Sequence, residues 1–262
     1  MPLASGLKQR ALPRDYLSIS ESTILHLRKP YIIAWWSVAF PGFGHILLGQ
    51  YFRGMGLIVW EILINLHSKI NTAMVYSFTG NIQMANDTLN PRLLLLYIPV
   101  YLFGIWDSYR GSVELNKEYK ISEIKQTPIT KYKMNSKGIN FLDKRSPVFA
   151  FIWALFIPSL GQFYQQRILA SFFTLLWTVI FIYFSNFLEG FIYLLQGDFA
   201  RSTEVINIQW LLFIPSFYFF TVYQSYTETV ELNKLFDKEQ AAYLEKNFQS
   251  SDFKINKGRL VE

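Results

Sequence analysis

Cysteine is absent from the 262 residues, which excludes disulfides, thiolate metal sites and cysteine nucleophiles. Histidine is scarce, and the three at positions 26, 45 and 67 have no ligand spacing on one helical face, so no metal site is expected. No Ser-His-acid arrangement can be traced. No phosphate-cradling glycine loop can be traced either, since Gly42-x-Gly44 followed by His45 is too short to serve as one. Neither catalytic residues nor a cofactor is therefore expected. The first 30 residues lack an apolar core of signal-peptide length, so no cleavable leader is expected. Charge is low, at 17% of residues, and is gathered into a few blocks. Between those blocks the loops 71–91 and 188–207 contain only Arg201 as a basic residue, with Lys69 and Arg92 at their edges.

What fills the remainder is apolar: 51% hydrophobic and 18% aromatic. The run from Ile168 to Leu188 has no charged residue, and roughly 20 such residues cross a hydrocarbon core of about 30 Å. The net charge of +6 has two readings, nucleic acid or basic cytoplasmic segments of a multi-spanning protein. The apolar runs favour the second. The expected partners are the lipid bilayer and other membrane proteins, and not nucleic acid.

The chain is organised around Pro41-Gly-Phe-Gly-His-Ile-Leu-Leu-Gly-Gln-Tyr-Phe-Arg-Gly-Met-Gly56, an apolar segment broken by Pro and Gly. Pro158-Ser-Leu-Gly-Gln-Phe-Tyr-Gln-Gln-Arg167 matches it 117 residues on. At the same offset lie Pro30/Pro147, Trp36/Trp153, Pro41/Pro158, Gly44/Gly161, Trp60/Trp177, Gly80/Gly197, Ser108/Ser225 and Tyr109/Tyr226. The run Val113-Glu-Leu-Asn-Lys117 returns as Val230-Glu-Leu-Asn-Lys234. Such agreement, much of it in rare residue types, predicts a tandem duplication. The expected domains are a tail over 1–29, a first membrane repeat over 30–113, a basic linker over 114–146, a second repeat over 147–230 and a tail over 231–262. Ser18 to Glu21 can cap a short surface helix through Ile24, Leu25 and Leu27, or the tail is partly ordered.

The fold expected is all-α. Each half has two spanning helices plus a Pro/Gly-broken segment that is re-entrant or interfacial. Each arm of Tyr31 to Leu48 is long enough for half a bilayer and not for all of it. The basic blocks 1–30, 110–146 and 227–262 predict cytoplasmic termini and a cytoplasmic linker in a multi-pass protein of the cell membrane. The halves are then expected to pack about a pseudo-twofold axis near the membrane normal. The alternative lets all six segments cross, with the second half inverted.

At Pro41-Gly-Phe-Gly-His45 through Gly49 and Gly54, and again at Pro158-Ser-Leu-Gly-Gln162 through Tyr164, the chain resembles a widespread family of small bacterial membrane proteins. That family has a two-transmembrane-helix module marked by Pro/Gly-x-x-Gly-His/Gln-x-x-Tyr-x-Gly, and most members are of unsettled function. The resemblance implies a multi-pass membrane protein and little chemistry. Leu47, Gln166 and Ser171 depart from its pattern.

Among polar residues, Glu61 stands out, about 12 Å along a helix from Arg53 at 1.5 Å per residue. An intramembrane carboxylate is a functional candidate, with His45 or Arg53 as partner; a hydrogen-bonded helix contact is the plainer role. His45 and Gln162 suit carbonyls freed by the proline break. Pro41, Gly42, Gly44, Gly49, Gly54, Gly56, Pro158 and Gly161 read as packing positions. Trp35, Trp36, Trp106, Tyr109, Trp153 and Tyr226 read as interface anchors, and Asp107 as an interfacial salt-bridging residue. Glu114, Asn116 and Lys117, with Glu231, Asn233 and Lys234, continue helices out of the membrane and are candidate docking positions. The function expected is a non-enzymatic scaffold or accessory subunit of a larger membrane system. A small transporter or channel using Glu61 is the alternative, and a membrane-embedded enzyme the remote one.

Overall fold

The computed structural model describes residues 15–17, 22–24, 27–124, 132–135, 138–141 and 144–248. Its first half has α1 (Pro30–Ala39), α2 (Phe43–Leu47), α3 (Tyr51–Ser68), α4 (Ile70–Phe78), α5 (Ile82–Thr88) and α6 (Pro91–Ile124). Its second half has α7 (Pro147–Phe156), α8 (Leu160–Tyr164), α9 (Ile168–Ser185), α10 (Phe187–Leu195), α11 (Phe199–Val205), α12 (Ile208–Leu211) and α13 (Phe213–Phe248). The first five helices of each half begin and end 117 residues apart. Short hairpins lie ahead of both: β1 (Asp15–Leu17) with β2 (Ser22–Ile24), and β3 (Tyr132–Asn135) with β4 (Gly138–Phe141). Their registers correspond as well, Asp15 facing Ile24 and Tyr132 facing Phe141. The short helix expected through Ile24 does not form, because Ser22–Ile24 is a strand; Ser18 to Glu21 and Leu25 lie outside the described residues.

The breaks follow from local chemistry. Proline opens α1, α6 and α7 at the first turn, where its missing N–H is not needed. The residue ahead of a proline is pushed out of the helical region, and Phe40 (φ −161°, ψ 123°) and Ile157 (φ −142°, ψ 125°) end α1 and α7 in that way. Gly42 then turns at φ 100°, and α2 folds back onto α1. A Cβ on Gly44 would stand 2.6 Å from the Ile33 carbonyl oxygen and 2.3 Å from Ser37 Oγ. Gly161 is held likewise, 2.8 Å from the Ala150 carbonyl oxygen and 2.4 Å from Ser225 Oγ. The segment thus doubles back in both halves. Later breaks use left-handed residues in matched places: Gly49 with Gln166, Lys69 with Asn186, Gly80 with Gly197. In the second half Pro215 leaves the Leu211 carbonyl without its helical donor, and α12 parts there from α13.

A buried core lies where the halves meet. Phe43 stacks on Phe220 with centroids 4.0 Å apart, and Phe40, Phe213, Phe217 and Phe181 complete the aromatic layer. Trp36 belongs to this layer and not to a membrane interface, since it packs on Phe220 and Tyr223. The aromatic layer joins α1 and α2 of the first half to α9 and α13 of the second, and α3 and α4 meet α12 beside it. Many outward-facing residues are apolar. On α9, Leu169, Phe172, Leu176, Val179 and Tyr183 are all exposed, a stripe that lipid accepts and water does not.

Helix α9 alone is long and apolar enough to cross a membrane, with a mean hydropathy of 2.0 over Ile168–Ser185. Helix α3 is also 18 residues long but carries Arg53 and Glu61. Two bent pairs pass only if each is taken together: Ile82–Thr88 with Pro91–Ile121, bent by 87°, and Phe199–Val205 with Ile208–Glu245, bent by 83°. Among the described residues one helix is long and apolar enough alone, and up to three if each bent pair is one span.

Candidate functional site

Three polar clusters sit between these apolar helices. The first gathers on Asp107, half-way along α6 and 8% exposed. His45, on the folded-back α2, places Nε2 at 3.2 Å from Asp107 Oδ2; Arg53 reaches the same oxygen at 3.5 Å and Arg110 the other at 3.1 Å. Beside it Ser37 Oγ donates to Ser108 Oγ at 2.8 Å, joining α1 to α6 across Gly44. The sequence suggested that His45 satisfies carbonyls freed by the proline break. It instead faces a carboxylate on the long helix.

The second cluster repeats the layout with other chemistry. Gln162 on α8 donates from Nε2 to Gln224 Oε1 at 2.9 Å, so an amide pair replaces the His45–Asp107 pair. Thr174 Oγ1 donates to Gln162 Oε1 at 2.7 Å, and Gln224 Nε2 to Glu228 Oε1 at 3.0 Å. Gln162 too therefore serves side chains, not carbonyls. Glu228 forms an ion pair with Arg167, whose guanidinium lies 5.4 Å over the Tyr51 ring of the first half. Burial pushes the Arg28 guanidinium, ahead of α1, down to about 10, while Glu228 and Glu231 raise it.

Glu61 anchors the third cluster, 4% exposed on α3. Neither His45 nor Arg53 is its partner, because both are turned to Asp107. Asn65, one helical turn on, donates from Nδ2 to Glu61 Oε1 at 3.1 Å and to Asn71 Oδ1 at 3.0 Å. From the second half Gln209 on α12 donates from Nε2 to Asn65 Oδ1 at 2.8 Å and to the Asn65 carbonyl at 3.0 Å. In return Gln209 accepts from Asn71 Nδ2 at 2.9 Å and from Thr72 Oγ1 at 2.8 Å. Glu61 Oε2 is buried and accepts no hydrogen bond, although the Tyr97 hydroxyl of α6 stands beside the carboxyl. Asn65, Asn71 and Gln209 were missed in the sequence, although two asparagines in an apolar stretch are a signal of buried bonding.

The remaining residues fall into place around these clusters. Gly42 lies against α3, where its Cβ would meet the Gly54 carbonyl oxygen at 2.4 Å; Gly54 closes on Ile46. Gly56 has open space and is not a packing position. Asn116 accepts from the Arg28 N–H at 2.8 Å and donates to the Arg28 carbonyl at 2.7 Å. Asn233 does the same for Arg145, at 2.9 and 2.6 Å. Glu114 pairs with Arg110 at 3.7 Å and Glu231 with Lys234 at 2.8 Å, while Lys117 is exposed. His26 lies outside the described residues, and among those described no three His, Cys, Asp or Glu side chains gather as for a metal. The pocket at the junction, lined by Phe43, Tyr51, Met55, Gln162, Phe173 and Thr174, holds about 20 Å³, room for one water.

No family model, curated protein or solved structure matches this chain. Fold and clusters therefore define the class by themselves: a helical protein with at least one helix built to cross a bilayer, hence a membrane protein in the general sense.

Proposed function

We propose that the chain is a multi-pass membrane protein made of two tandem copies of one module, the two-helix module of the family it resembles. It acts without catalysis, as a scaffold or accessory subunit. The observation that carries this reading is the character of the polar groups. They bond one another across helices, around a junction with room for one water. Such networks hold helices in place. The coincident helix boundaries and hairpin registers support the duplication, and the doubled-back α1–α2 and α7–α8 support a segment that enters and returns. At about 15 Å, α1 and α7 reach half-way through a hydrocarbon core. Helices α3, α6, α9 and α13 are then the spans, and the termini and residues 114–146 lie in the cytoplasm of a cell-membrane protein.

The buried Glu61 Oε2, which accepts no hydrogen bond, is the observation that favours the transporter alternative. Reconstitution separates the two. Vesicles containing the protein are expected to show no solute- or proton-dependent flux above empty vesicles; a flux abolished by Glu61→Gln would replace the scaffold reading. For topology, a single cysteine at position 130 of this cysteine-free chain is expected to resist an impermeant thiol reagent in intact cells. Labelling there refutes the cytoplasmic placement.

A further inference from the structure

The junction inside the chain joins unlike faces, and its mirror contact is missing. Trp36 of the first half packs on Phe220 and Tyr223 of the second, with centroids 5.3 and 5.0 Å apart. One repeat away the counterparts are Trp153, Phe103 and Trp106, at the surface with 46%, 54% and 53% exposure. The α7 face of the second half and the α6 face of the first are thus a matching pair left open. A contact between unlike faces is one that can recur from molecule to molecule.

We propose that a second copy of this chain fills them, its α7 face seated on the α6 face of the first, as α1 sits on α13 within one chain. This rests on reading the halves as copies of one module. Three further correspondences support it. Phe40 packs on Phe213 inside the chain, and the positions that would meet outside are Ile157 and Leu96, both apolar and exposed. Thr72 bonds Gln209 inside the chain at 2.8 Å. Its counterparts are Glu189 and Arg92, both exposed, of opposite charge, and in no ion pair among the described residues. Arg28 lies in the field of Glu231 inside the chain, and the outer counterparts are Arg145 and Glu114, again of opposite sign. The Thr72–Gln209 pair has changed on both sides into opposite charges, and the Arg28–Glu231 pair keeps them.

The spacing is also right for a membrane contact. From Arg92 to Glu114 along α6 is about 33 Å at 1.5 Å per residue, one hydrocarbon thickness, with Phe103 midway. The proposed contact has an aromatic centre and an ion pair at each face of the bilayer. Lipid is the rival occupant of the aromatic stretch, but it does not account for the paired charges.

The absence of native cysteine makes the test direct. Phe103→Cys and Trp153→Cys variants, carrying different tags, are coexpressed and treated in native membranes with a short bis-maleimide. Trp36→Cys/Phe220→Cys in one chain calibrates the reagent on the internal contact. The expected result is a mixed 103–153 dimer at a yield comparable to that control. Arg92→Glu or Glu189→Arg alone, added to the cysteine variants, should lower it at least threefold, and the two together should restore it. A reactive control with no mixed product leaves the face to lipid and overturns the proposal. So does cross-linking of Phe103→Cys to itself in place of the mixed product, or a mixed product indifferent to both charge changes. Alkaline washing of the same membranes reads the other premise: a chain that cross-links but washes off keeps the interface and loses the membrane reading.

Discussion

Gly44 and Gly56 stand in one glycine-rich motif and are expected to respond to alanine with opposite sign. A methyl at Gly44 would meet the Ile33 carbonyl oxygen at 2.6 Å, Ser37 Oγ at 2.3 Å and Ser108 Cβ at 3.0 Å. The carbonyl belongs to helix backbone and cannot give way as a side chain does. Forcing an extra carbon into a packed site costs about 1–3 kcal/mol. Prising Ser37 from Ser108 adds the loss of a buried hydrogen bond, about 1 kcal/mol. A methyl at Gly56 meets nothing within 4 Å, and a helix-interior alanine there is worth about 0.5–1 kcal/mol over glycine. The assay is thermal unfolding of the purified protein in one mild detergent. At roughly 2–4 °C per kcal/mol for a chain of this size, Gly44→Ala should melt about 4–16 °C lower and Gly56→Ala slightly higher. If Gly44→Ala melts with the unaltered protein, α2 does not lie on α1, and the doubled-back segment described above is wrong.

Glu61→Gln should fold and melt as the parent, because an amide oxygen accepts from Asn65 as a carboxyl oxygen does. Glu61→Leu should lose about 1–3 kcal/mol, since Asn65 Nδ2 is left with one acceptor fewer in a buried place. Equal melting of the two variants would remove Glu61 from the junction network. Gln166 holds φ 61° where its counterpart is Gly49 at φ 77°, so Gln166→Gly should gain about 1 kcal/mol in unfolding free energy; a loss would mean its side chain is needed. Asn116→Ala and Asn233→Ala each delete a donor and an acceptor on matched backbone and should cost similar amounts, about 1–3 kcal/mol, by chemical or thermal unfolding. A cost in one half only would deny the two brackets a common role.

The punctuation of the chain was legible because it is written in residues with fixed backbone habits. Pro41 and Pro158 stop helices one residue earlier whatever surrounds them, and the 117-residue offset of Pro and Gly foretold matched boundaries. Left-handed Lys69 and Asn186 were not legible, since neither residue type demands that conformation; packing imposes it. The partners of the polar residues were legible only in kind. Asp107 was read as salt-bridging, but its burial and its bond to His45 depend on which face of α6 meets α2, 62 positions away. Arg53 and His45 are the near candidates for Glu61 in sequence, but both turn to Asp107, and Gln209, 144 positions from Asn65, completes the Glu61 cluster. The junction between the halves had no signature in either half alone, because it is a relation between unlike surfaces.

The Asn116 and Asn233 side chains each offer an N–H and a carbonyl in the layout of a peptide group, so each acts as a rung tying a departing helix to the chain that arrives. That tie makes the far part of each helix a lever with its fulcrum at the asparagine. On α6 the arm runs eight residues to Ile124, about 12 Å; on α13 it runs fifteen to Phe248, about 22 Å. A load swinging either arm would be felt first at Arg28 or Arg145, where α1 and α7 begin. The longer arm gives the second half the greater mechanical advantage.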